Sequence, residues 1–120
     1  MEYFNSGKID IVFIRKQVME MIGDTNLQKL QVHMSFLLEE ISYAKYQWEL
    51  TLAKEDWSKA ANILHREKLI IHQLELLNDE SLLLKIKNKD PSFTSRELQI
   101  FYRELIHVFT ELEKLIGPSI

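Results

Sequence analysis

The chain has 120 residues, 46% of them hydrophobic and 28% charged, with three Gly, two Pro, no Cys and a formal charge of −3. That length supports one core rather than two, and the composition is that of a globular, helix-rich domain. The mild acidity and the lack of a Lys/Arg run give no electrostatic footprint for nucleic acid or an anionic membrane, and without cysteine there is no disulfide, thiolate nucleophile or zinc-thiolate site.

The first eight residues carry no basic stretch followed by an apolar core, and no run reaches membrane-spanning length, so the expected location is cytoplasmic. Asp10 is placed to cap a first helix reaching about Ile22, with Ile11, Ile14, Val18 and Ile22 on one side. Gly23-Asp24 then stops that helix and caps the next. From Thr25 to about Ala53, Leu27, Leu30, Met34, Leu37, Ile41, Ala44 and Trp48 alternate three and four apart, which predicts a long helix with a core stripe. Tyr43, Tyr46 and Leu50 fall off that stripe and read as edge packing or, less simply, as part of a partner surface.

Asp56 is the expected cap of a third helix from Trp57 to about Leu77, ended by Asn78-Asp79. A short helix over 80–87 follows, then a loop from Asn88 to Ser92 containing Pro91. Thr94 and Glu97 have capping-box spacing, and Leu98, Phe101, Leu105, Phe109, Leu112 and Leu115 form the last core stripe, ended by Gly117-Pro118. Short connections between long helices predict an all-α domain over 1–120: an up-and-down four-helix bundle with a short additional N-terminal helix and a core spanning about 8–117.

At about 100° per residue, Trp57, Ala60, Ala61, Leu64 and Ile71 share one face of the third helix, and His65 falls just outside it, towards solvent. Lys68 lies one turn on, between His65 and the core edge. His72 lies nearly on the line of His65, and Leu69 sits on its outer side. A neutral imidazole beside an ammonium suits a nucleophile with a holder for a transferred phosphoryl group. His33 and His107 read as bundle histidines. Glu104 and His107 have the Glu-x-x-His spacing of di-iron bundles, but the chain has no second copy, so no metal site is expected.

Asp56-Trp57 opening the helix, and His65-Arg66-Glu67-Lys68 within it, resemble the His-x-x-Lys-Gly motif of the histidine-containing phosphotransfer (HPt) domain family. Ile11-Val12-Phe13-Ile14-Arg15, Gly23-Asp24 and Phe36-Leu37-Leu38-Glu39-Glu40 resemble its first helix, first junction and second-helix centre, so the resemblance covers residues 8 to 117. It implies a phosphorelay intermediate. His65 is then the phosphoacceptor, Lys68 stabilises the phosphoryl oxygens, and Leu69, His72 and Arg66 are binding residues. Response-regulator receiver domains or a hybrid histidine kinase are the partners, with Mg²⁺ on the receiver and no cofactor on this chain. Leu69 replaces the usual small residue and Glu67 a usually apolar one. Both fit an alternative: an adaptor of the same fold that binds signalling proteins without carrying phosphate, with Glu67 requiring a partner or a proton if buried. A third reading is a structural or dimerisation module.

Overall fold

The computed structural model describes residues 3–5 and 9–120. Residues 1–2 and 6–8, part of the stretch read for a targeting signal, lie outside the described residues. The architecture is all-helical: α1 (Ile11–Ile22), α2 (Leu27–Ala53), α3 (Trp57–Arg66), α4 (Lys68–Gln73), α5 (Ser81–Lys87) and α6 (Ser95–Ile116), closed by a 3₁₀ turn (Gly117–Ser119). Among the described residues there is no strand, only an isolated antiparallel bridge between Phe4 and Leu77. No helix among them is long and apolar enough to cross a membrane.

Local chemistry sets most of the boundaries. The Asp10 carboxylate accepts from the Phe13 amide at 2.8 Å to start α1, and Gly23, at φ 65°, ends it in the left-handed conformation that glycine adopts without penalty. Asp24 does not cap α2 as expected. It accepts from the Asn26 amide, and Asn26 caps the helix through the amides of Gln28 and Lys29, so α2 starts at Leu27 rather than Thr25. Asp56 caps α3 through the Lys59 amide. Thr94 accepts from the Glu97 amide, but the Glu97 carboxylate takes the Tyr3 hydroxyl at 2.6 Å, an arrangement that ties α6 to the N-terminal segment.

The core runs along α2 and α6. Leu30, Met34, Leu37, Ile41, Ala44 and Trp48 face Phe101, Leu105, Phe109, Leu112 and Ile116, and Trp48 meets Phe109 edge-on at 4.9 Å. Ser42 and Lys45 of α2 both donate to Glu113 of α6, at 2.6 and 2.7 Å. Leu27, counted with the core stripe, is exposed because it occupies the first turn of α2, beyond the reach of the packing.

The expected helix over 57–77 is two helices, and it ends four residues early. Glu67 sits at φ −91° and ψ 5° between α3 and α4, its carboxyl hydrogen-bonded to Glu40 of α2 and paired with Arg66. At Gln73 the chain leaves the helix through a Schellman closure: Leu76 N–H bonds the Ile71 carbonyl at 3.0 Å and Glu75 N–H bonds that of His72, with Glu75 at φ 51°. Leaving the helix there lets Leu74, Leu76 and Leu77 all turn into the core. The core also extends ahead of residue 8. Phe4 is buried and stacks on Phe101 at 5.3 Å, while Asn5 N–H and Asn78 N–H exchange backbone bonds with Leu76 and Tyr3.

Candidate functional site

His65 lies in the last turn of α3 and is exposed, as the helical projection places it. No described residue hydrogen-bonds its ring. It stands on a ridge between two depressions. A groove of about 810 Å³ runs between α3 and the α5–α6 connection, floored by Trp57, Ala61, Ile86, Phe93 and Leu98. A smaller one of about 260 Å³ lies between α3 and α5, bounded by Lys68, Glu80 and Lys87. Trp57 is held in place by stacking on Tyr102 at 6.1 Å.

Two ammonium groups act on the imidazole. Lys68, and after it Lys87, push its pKa below the ordinary histidine value, because each positive charge opposes a second one on the ring. Slight desolvation acts in the same direction. Both effects favour the neutral ring, in which one nitrogen lone pair is free. Lys87 is a site residue that the sequence did not reveal: it belongs to the last turn of α5, which packs on α3, and only that packing brings it to His65.

The other expected residues divide. Lys68 and Leu69 flank His65, and Leu69 is 61% exposed. His72 is also exposed, but its Nδ1 lies 2.7 Å from Glu80 Oε1, which commits that ring to the start of α5. Arg66 points away from the groove. Its Nε reaches Glu67 at 3.0 Å and Glu40 at 3.7 Å, its Nη2 donates to Gln47 at 3.2 Å, and its guanidinium lies 5.2 Å from the Tyr43 ring centroid.

Glu67, beneath this guanidinium, is 2% exposed. Burial and a hydrogen bond shared with Glu40 push its pKa up to about 7, against the opposing pull of Arg66. The expectation that a buried Glu67 needs a partner or a proton is met by both. Of the remaining histidines, His33 and His107 are exposed rather than inside the helical packing, and a ring nitrogen of His33 lies 2.9 Å from the Lys29 carbonyl. Among the described residues no three His, Asp or Glu side chains converge as a metal site.

Comparison with protein-family models, with curated proteins and with solved structures returns no match.

Proposed function

We propose that the chain is a histidine phosphotransfer protein of a multistep phosphorelay, in which His65 takes a phosphoryl group from the aspartyl phosphate of a response-regulator receiver and passes it to another. The observation that carries this reading is the open, unpartnered imidazole of His65 between the Lys68 and Lys87 ammonium groups. In-line transfer needs an uncharged nitrogen with clear access and cations near the equatorial oxygens, and this surface offers both. The N–P bond forms as the P–O bond to the aspartate breaks. The aspartate leaves as a carboxylate, and the second imidazole nitrogen can release its proton to water.

Mg²⁺ and the acceptor aspartate belong to the receiver in this scheme, and the chain itself needs no cofactor. The resemblance of His65-Arg66-Glu67-Lys68 to the HPt motif supports the same reading. So does the helix order, with α2, α3–α4, α5 and α6 taken as one cytoplasmic four-helix bundle and α1 as its additional helix. Receiver domains, or the receiver of a hybrid histidine kinase, are the partners.

Incubation with a panel of phosphorylated receiver domains tests it. Wild type is expected to acquire acid-labile, base-stable label, and His65→Gln to acquire none while keeping its fold, because an exposed substitution removes little packing. Equal labelling of both chains excludes His65 as the acceptor. One feature favours the adaptor reading: Leu69 projects into solvent one turn from His65, where the HPt motif has a small residue. Stable complexes with a receiver and no label on either chain select that reading.

A further inference from the structure

α2 carries two apolar stripes where the fold uses one. Its buried stripe runs through Leu30, Met34, Leu37, Ile41, Ala44 and Trp48. On the opposite side Val32, Phe36, Tyr43, Tyr46 and Leu50 are 50, 61, 53, 53 and 45% exposed. At about 100° per residue this second stripe points directly away from the core. α6 occupies one flank of α2, where Lys45 meets Glu113, and α3 the other, where Arg66 meets Glu40. With Glu39 included, the positions follow one another at alternate spacings of four and three, the repeat of a coiled-coil seam.

We propose that this face is a homodimer interface, in which α2 packs antiparallel on α2 of a second copy about a two-fold axis near Ile41. The register follows from the side chains. An antiparallel seam centred there sets Val32 against Leu50 of the second copy, Phe36 against its Tyr46 and Glu39 against its Tyr43, and symmetry repeats each pairing. The one carboxylate in the seam thus faces a phenolic hydroxyl. Sliding by a heptad in one direction places Phe36 on Glu39, and in the other Leu50 on Glu39, so both alternatives bury an acid against an apolar side chain.

The area fits a second copy. Aromatic side chains bury about 150–250 Å² each, so five half-exposed residues dominated by aromatics leave on the order of 500 Å². That lies in the upper part of the ~300–600 Å² range of a monomer's largest apolar patch, a size often tied to function, and with the rim of the helix it approaches the ~800 Å² per partner of a stable complex. The two Glu40 carboxylates approach each other beside the axis, where the Arg66 of each copy is already placed to offset their repulsion. His65 faces α5, away from this side of α2, so the interface and the phosphotransfer reading stand independently.

Sedimentation equilibrium of the full chain tests the proposal. Wild type is expected at twice 14.3 kDa in the micromolar range, and Phe36→Lys and Tyr43→Lys each at 14.3 kDa with unchanged helical circular dichroism. The chain has no cysteine, so V32C and L50C chains report the register: mixed and oxidised, they are expected to form the heterodisulfide. V32C alone is expected not to cross-link, its two thiols lying about 27 Å apart along the axis. A wild-type mass of 14.3 kDa at hundreds of micromolar overturns the proposal, as does a dimer that survives both lysine substitutions. Efficient V32C self-cross-linking overturns the antiparallel arrangement.

Discussion

At His65 charge, more than burial, governs protonation. Lys68 and Lys87 hold the imidazole pKa below its ordinary value, so removing either ammonium eases protonation. Lys68→Ala is expected to raise the His65 pKa, and Lys87→Ala to raise it by less, in an NMR titration of the ring. Under the proposed phosphotransfer, uptake by either variant should then fall off at a higher pH than in wild type. At Glu67 the shift has the opposite sign. Its pKa of about 7 lies above that of an unfolded glutamate, so the folded state holds an extra proton between the two values. Stability from this group is full below the unfolded pKa, falls as pH rises towards 7, and levels off above it.

Glu67→Gln keeps an acceptor for Arg66 and a donor for Glu40 without the titration. It is therefore expected to stabilise the fold at pH 8 by about 1–3 kcal/mol and to leave it nearly unchanged at pH 4. The lower part of that range is favoured by the access of Arg66 and Glu40 to solvent. Urea denaturation at the two pH values checks this, and an equal effect at both would contradict it. The exposure of His65 was legible in the sequence, since it follows from helical angle alone, whereas the burial of Glu67 was only a condition there and depends on the break between α3 and α4. Lys87 was not, because its neighbour lies on another helix.

The helices themselves were largely readable, and their ends explain the exceptions. Asp10, Gly23, Asp56 and Thr94 carry chemistry that marks a boundary, and the boundaries near them fall where that chemistry predicts. Three other helices end in Schellman closures with a charged residue at the left-handed position: Glu55 after α2, Glu75 after α4 and Lys89 after α5, at φ 51°, 51° and 55°. Glycine is the usual residue there, and its absence hid the end of α4. A Cβ in that conformation costs about 1 kcal/mol, so Glu55→Gly and Glu75→Gly are each expected to raise stability by roughly that amount. Their effects should add, since the two turns end different helices. Chemical denaturation of the single and double variants provides the check; destabilisation by either would show that the side chain contributes more than the backbone strain removes.

Over the whole molecule, the feature least visible in the sequence is the N-terminal segment, which lacks the periodicity of a helix. It is held by scattered tertiary contacts rather than by a repeating pattern, among them Phe4 on Phe101, the Tyr3 hydroxyl on Glu97, and the backbone and Asn5 side-chain bonds to residues 75–78. Phe4→Ala removes a fully buried ring and is expected to cost about 3 kcal/mol. Hydrogen exchange should show the loss of protection at the Asn78 amide, which bonds the Tyr3 carbonyl in the intact protein. Protection retained there would mean that the backbone bridge holds without its aromatic anchor.

That bridge also reaches the site. Residues 76–78 lead directly into α5, and α5 supplies Lys87. Detaching Tyr3–Phe4–Asn5, by a cleavage after Asn5 or a bulky fusion, frees the segment that leads into α5 at one end, while the packing of α5 on α3 still holds Lys87 beside His65 at the other. Trimming at the amino end is therefore expected to loosen the approach to α5 before it changes the basicity of His65, which shifts only once α5 leaves α3.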